Sequence, residues 1–309
     1  MLRFSLNQAT LELDLSPRSG FLIKAGEKGQ NLLAPQRSDM GPLRTRVTRG
    51  AGETARAEET VFIPGSSLKG VLRSAGERAL RSLREDWACD PHDHRSACQR
   101  GPRDPKASSD KRHAEQCLAC RVFGSQQAAG RLLIADALPA SERAWTNANQ
   151  TSLRSGVSID RRTGGPAGGK LFESEIVSAG SFRARMTLEN FQLWQLALLG
   201  MLMEDVDAGE LHIGSGRTRG LGAFSLRFRR LELWQIGAQP APAGVGVLRP
   251  DLAEPYDWMG DRTLDDLAPG TPHRAGLRWI WEDDPQIRGV LGAASAQAWP
   301  PGPRGAARR

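Results

Sequence analysis

Four cysteines stand at Cys89, Cys98, Cys117 and Cys120, in the spacing C-x8-C-x18-C-x2-C, and the 309-residue chain has no others. Even scattering would rarely crowd them so. The Cys117–Cys120 pair has the spacing of half a tetrahedral zinc site, because a Cys-x-x-Cys turn brings two thiolates to one ion. Cys89 and Cys98 offer two further ligands, and His92, His94 and His113 lie nearby. Whether a histidine replaces Cys89 or Cys98 stays open. Disulfides belong to oxidising compartments, so a metal explains the crowding better. Four thiolates would leave no open position for catalysis. The expected zinc is therefore structural, holding together a polar stretch with few apolar residues to bury. The plain alternative is a set of unrelated reduced thiols.

Two other segments have the chemistry of anion binding. Pro64 to Gly70 (PGSSLKG) opens a helix whose expected N-cap is Ser66. Free N–H groups and the positive end of the helix dipole then face outward. Ser66, Ser67, Lys69 and Arg73 are the candidate phosphate contacts, with Lys69 and Arg73 four apart on one face. A capped helix with a solvated basic face is the simpler reading. Gly214 to Gly222 (GSGRTRGLG) combines close backbone approach at Gly214, Gly216 and Gly220 with the charges of Arg217 and Arg219. An ordinary hairpin would also explain it. Neither segment is a Walker A loop or a dinucleotide fingerprint, and no Ser-His-Asp arrangement is present, which argues against an ATPase or a metabolic enzyme.

The elements that must position these residues follow from periodicity. Leu2 to Leu15 alternates and reads as a strand. Asn31 to Thr60 has no periodicity and reads as a long loop. A helix is expected from Leu68 to Leu83, on an apolar stripe of Leu68, Leu72, Ala75, Ala79 and Leu83. Arg131 to Ala137, Ser181 to Leu188 and Ala223 to Trp234 read as strands, and Asn190 to Glu204 as a helix capped by Asn190. Gly156 to Val177 reads as a protruding hairpin. The order strand, helix, strand, strand, helix, strand predicts an α+β, ferredoxin-like (RRM-type) fold over residues 1–234, with an insertion at 86–125. Residues 235–309, rich in Pro and Gly, read as an irregular C-terminal extension.

Net charge is +7 and the sequence pI about 9.7, which suits a phosphate-rich partner. No apolar run reaches the roughly 18 residues of a membrane span. Met1 to Leu15 lacks the apolar block of a signal peptide, so the expected location is the cytoplasm and no membrane partner is expected.

The combination is more specific than its parts. Ile63 to Arg73, the Cys-x-x-Cys-Arg-x-Phe-Gly step in Cys117 to Ser125, Val157 to Arg161 with Thr163-Gly164, and Gly214 to Gly222 occur in that order. Together they resemble the RAMP superfamily of CRISPR-associated proteins, and most of all the backbone subunits of type III effector complexes, Csm/Cmr-type or III-D-type. The resemblance spans roughly residues 1 to 234. It implies an RRM-type palm, a protruding thumb at 156–177 that kinks a CRISPR RNA every sixth nucleotide, and partners comprising that guide, a target single-stranded RNA and other Cas subunits. It also implies guide contacts from the helix start, the Gly-rich loop and Arg161. Asp39 matches the place of an aspartate that cleaves target RNA, which implies Mg or another divalent cation for cleavage. Asp14 is a lesser candidate, inside a strand pattern, and Asp160 could position target. A non-catalytic structural subunit of the same complex and a free-standing single-strand RNA-binding protein are the alternatives.

Overall fold

The central strand, β1 (Asn7–Pro17), turns Leu11, Leu13 and Leu15 into the core by simple alternation. In the computed structural model the described residues are 4–24, 40–50, 52–90, 92–93, 98, 106–237, 239–265 and 272–302, with backbone alone at 168–170. After β1 come a hairpin of β2 (Arg44–Arg49) and β3 (Arg56–Val61), then helix α1 (Gly65–Leu83). Two short helices, α2 (Ser109–Ala114) and α3 (Leu118–Phe123), lead to β4 (Leu132–Ile134) and β5 (Leu138–Pro139). Next are α4 (Glu142–Asn149), the long hairpin of β6 (Thr151–Ile159) and β7 (Pro166–Val177), β8 (Phe182–Glu189), α5 (Leu193–Ala208) and β9 (Phe224–Gln235). The chain continues through α6 (Val245–Leu248), α7 (Pro250–Tyr256), β10 (His273–Ala275), β11 (Arg278–Trp281) and α8 (Asp284–Ala298).

The main sheet runs β10-β11-β9-β1-β8-β4, with β5 also on β8, and every pairing is antiparallel. Within it, β9-β1-β8-β4, with α1 between β1 and β4 and α5 between β8 and β9, has the order of a ferredoxin-like βαββαβ unit. The molecule is thus α+β with an antiparallel sheet, as the periodicity predicts.

Several details differ from the sequence reading. Residues 44–61, expected to be loop, form a hairpin in register Arg44↔Val61 to Arg49↔Arg56. The expected stripe on α1 drifts: Leu80 is fully buried where Ala79 was expected to lead, and Leu83 is exposed. The cap of α5 is Gln192, in a reciprocal pair with Gln195, not Asn190. Asn190 instead takes a left-handed turn (φ 49°), and its side chain accepts from the Leu6 N–H at 2.7 Å.

The largest difference is C-terminal. Residues 235–302 do not form an irregular tail: β11 pairs with β9, and α8 packs along α5. This explains why α5 is apolar on every side: one side meets the sheet and another meets α8. Gly200 makes the approach possible, since a Cβ there would stand 3.0 Å from the Leu291 Cβ. The extension also grips the cysteine insertion. Arg121, only 1% exposed, bonds Asp257 at 2.7 Å and three backbone carbonyls besides. Trp258 donates its indole N–H to His113 Nε2 at 3.2 Å, and Ser109 and Tyr256 share a hydrogen bond at 3.0 Å.

Candidate nucleic-acid interface and metal centre

The cysteines meet because two elements deliver them. Cys117 caps α3, its sulfur accepting from the Cys120 N–H at 3.4 Å, and Cys120 follows within the first turn. Cys89 is held beside α1 by Arg81, which donates to its carbonyl at 2.9 Å. All four sulfurs lie within 4.8 Å of one another, with Cys89 Sγ and Cys120 Sγ 3.6 Å apart. Tetrahedral zinc with 2.3 Å bonds needs sulfurs about 3.8 Å apart, so the donor set could hold a metal such as zinc. The described residues bring no histidine into the cluster: His113 is engaged by Trp258, and His94 lies outside the described residues. Hydrogen bonds from Cys120, Cys89 and Cys98 hold the pKa of Cys117 down, and the same contact with Cys117 pushes Cys120 and Cys98 up.

Arg73 is engaged within the protein. Its guanidinium bonds Glu77 at 2.7 Å and the Gly124 carbonyl at 3.1 Å, and reaches Cys120 Sγ at 3.7 Å. Burial opposes its charge, but Glu77 and the neighbouring thiols outweigh burial and raise its pKa. The residue therefore ties α1 to the cysteine cluster. Lys69, one turn earlier, lines the same open groove of about 670 Å³ with Arg73, Cys120 and Gln126. Burial, then the charge of Arg73, depresses its pKa.

The start of α1 also differs from expectation. Its N-cap is Pro64, which offers no side-chain cap, and Ser66 and Ser67 sit in the first turn. The Gly65 N–H donates to Asp136 Oδ1 at 2.8 Å, while those of Ser67 and Leu68 turn back to the Pro64 carbonyl. A carboxylate thus already occupies part of the anion position at this helix end. Gly65 is required where it stands, because a Cβ would lie 2.2 Å from the Ile134 carbonyl oxygen.

The Gly-rich loop is shaped as a short 3-10 turn, Arg217–Arg219, between left-handed glycines at 216 and 220. Its ends are pinned: Gly214 (φ 96°) has room for no Cβ beside the Leu22 carbonyl, and the Ser215 N–H donates to that carbonyl at 2.7 Å. Arg217 and Arg219 are exposed. Arg217 faces α1 across a cleft of about 330 Å³ that also holds Ser74, Arg78 and His212. Arg219 lies over the Phe172 ring of β7, 5.2 Å from its centroid. That ring can lie across the hairpin because its cross-strand partner is Gly156, where a Cβ would come within 2.3 Å of it.

The long hairpin begins at Thr151 rather than Gly156 and projects as a two-stranded sheet of its own. Leu153, Val157, Ile159 and Leu171 are exposed along it. At the tip, Asp160 accepts from the N–H groups of Arg162 (2.8 Å) and Thr163 (3.0 Å). Its carboxylate thus shapes the turn. Arg161 is exposed there, roughly 15–20 Å along the strands from Phe172, so the structure does not bring it together with Arg217 and Arg219. Asp14 is 5% exposed and bonded to Arg183 and Arg229. Asp39 lies outside the described residues. Its neighbour Met40 bridges to Ser174 in β7, exchanging backbone hydrogen bonds with Glu173 and Glu175 at 3.1 and 2.8 Å.

Sequence reasoning missed the β2–β3 hairpin, Arg78, Asp136 and Phe172. Only the first had a usable signal, the Arg-Gly-Ala-Gly turn at 49–52 between two alternating runs.

Fold and site together define a ferredoxin-like α+β protein with a basic loop set against a projecting hairpin, and a four-cysteine site that braces its first helix. The family model of the RAMP superfamily matches residues 44–225, and the chain belongs to that superfamily. At the level of the family this is a CRISPR-associated RNA-binding role, carried out with CRISPR RNA and other Cas subunits. No curated protein matches the chain. Among the described residues no helix is long and apolar enough to cross a membrane.

Proposed function

We propose that this chain is a guide-binding backbone subunit of a type III CRISPR interference complex, with a structural zinc at Cys89, Cys98, Cys117 and Cys120. The observation that carries the reading is the contact of Arg219 with Phe172, which sets the Gly-rich loop against the long hairpin. A nucleic-acid backbone can then be gripped between a cationic loop and a wedge, the arrangement that a thumb kinking its guide requires. Ser66, Ser67, Lys69, Arg217 and Arg219 are the proposed backbone contacts, and Arg161 acts further out on the thumb. Lys69→Ala combined with Arg217→Ala should weaken binding of all single-stranded RNA sequences about equally. The log–log salt slope should flatten by roughly 0.7 for each lost phosphate contact. A loss confined to particular sequences would contradict backbone recognition.

The same reading assigns cleavage of target RNA to Asp39. Two rival carboxylates have other work: Asp14 neutralises two arginines and Asp160 shapes the hairpin tip. Met40 is tied to β7, so the chain at this point runs beside the base of the thumb. A carboxylate there can accept the proton of a 2′-hydroxyl as its oxygen attacks the adjacent phosphorus, while the 5′-oxygen leaves in line. A divalent cation is expected to be required. Asp39→Ala in every copy of the subunit should abolish cuts at the positions it covers, by 100-fold or more on the order expected for general base catalysis, and leave assembly intact. Cuts that persist unchanged would reduce the chain to the structural role.

A further inference from the structure

Along the first half of β8, Arg183 and Arg185 turn away from the core, alternating with buried Phe182, Ala184 and Met186, and Thr187 and Glu189 continue that face. Across the sheet, β9 contributes Arg227 and Arg229. Both turn outward by alternation with buried Leu226 and Phe228. A β-bulge follows, since Glu12 pairs with Arg230 and Leu13 with Phe228, and it leaves Arg229 as the extra residue of β9. Arg183, Arg227 and Arg229 therefore gather around the buried carboxylate of Asp14 on β1, while Arg185 stands opposite Glu12, one step along the same face. Asp14 bonds Arg183 at 2.7 Å and Arg229 at 2.6 Å, and stands opposite Arg183 on one side and Arg227 on the other.

We propose that this arginine cluster binds the backbone phosphates of single-stranded RNA, as a contact surface additional to the Gly-rich loop and the long hairpin. The proposal rests on the RNA-binding reading above. Asp14 acts as a positioning residue. It uses one edge of each of two guanidiniums, and both side chains remain over 40% exposed, at 46% for Arg183 and 41% for Arg229. Each guanidinium carries five N–H donors, so donors remain for a second acceptor. Among the described residues, the side chains of Arg185 and Arg227 form no hydrogen bond or ion pair, and Glu12 is the carboxylate that faces Arg185 across the strands. Planar guanidinium forks of this kind suit phosphate oxygens.

Location decides for RNA over an acidic protein segment. Past the end of β1 the chain continues to Phe21, which pairs with Val177 at the base of the long hairpin. β8 starts five residues after Val177, and β9 starts two residues after Gly222 of the Gly-rich loop. The cluster thus lies at the end of the sheet from which both proposed RNA-gripping elements spring. A strand leaving them meets it next.

The test compares three proteins, each full length and metal-loaded, in titrations of a fluorescent unstructured RNA at several salt concentrations. Arg185→Ala with Arg227→Ala should bind about ten-fold more weakly than wild type, with a salt slope lower by roughly 1.4 for two phosphates. Its melting temperature and zinc content should not change, because neither side chain supports another. Lys69→Ala with Arg217→Ala is the control for the loop and helix. If the control weakens and the sheet variant binds like wild type, the cluster is not an RNA surface and the functional reading stands. If wild type shows no RNA binding, both fall. Normal RNA binding with loss of a co-purifying subunit would reassign the face to a protein.

Discussion

Cys120→Ser should abolish metal binding and release the cysteine insertion from the core. Wild-type protein should carry about one zinc per chain by elemental analysis, and the variant close to none. A hydroxyl is a poor replacement for a thiolate, because serine stays protonated where cysteine ionises on zinc. The consequence reaches beyond the site. Leu118, Val122 and Phe123 are buried in α3, and a Cβ on Gly76 of α1 would lie 3.0 Å from the Phe123 ring. If α3 lost its anchor, those side chains would meet water, and Arg73 would lose its sulfur contact. Loss of a structural metal belongs to the severe class of single changes, on the order of 4 kcal/mol or more. For a chain of this size that corresponds to a fall in melting temperature of roughly 10 °C. Chelation of wild-type protein should reproduce the shift, and added zinc should reverse it in wild type alone. A wild-type preparation free of zinc, with normal stability, would end the metal assignment.

Truncation after Ile236 should leave no soluble, folded protein, even though the family match ends at residue 225. The cut removes Trp281, Ile287, Val290, Leu291 and Ala294, all at most 1% exposed and all part of the core shared with α5 and β1. It also removes Trp258, buried against Val245 and Leu6. Each large apolar side chain contributes about 1.5–3 kcal/mol on burial. Four or five of them equal the whole stability of an ordinary domain, about 5–15 kcal/mol. Arg121 would be left buried without Asp257, at a further cost of about 3–5 kcal/mol. Expression of residues 1–236, followed by a solubility assay and circular dichroism, checks this. A soluble, cooperatively folded fragment would show that the extension is a separate appendage.

What the sequence determined by itself is the part of the molecule written in short-range periodicity and spacing. Alternation in Leu2 to Leu15, Ser181 to Leu188 and Ala223 to Trp234, with the apolar helices between, was enough for the ferredoxin-like order. Cys-x-x-Cys announced the four-cysteine cluster because two of its members lie in one turn. Other assignments depended on partners far away in the chain. The start of α1 reads as a wholly open anion site until Asp136, 71 residues later, takes the Gly65 N–H and so part of it. Arg73 reads from the sequence as an RNA contact alone, and its bonds to Cys120 and Gly124 appear only once α3 is set beside it. The tail reads as irregular because β10 and β11 are only three and four residues long, too short to show a period, and are strands only because β9 pairs with β11 and β11 with β10. The arginine cluster is the extreme case. Its members come from two strands separated by α5, on either side of β1, and only the pairing of both strands with β1 gathers them near Asp14. Alternation within a strand says which side chains share a face, but register decides which of them become neighbours.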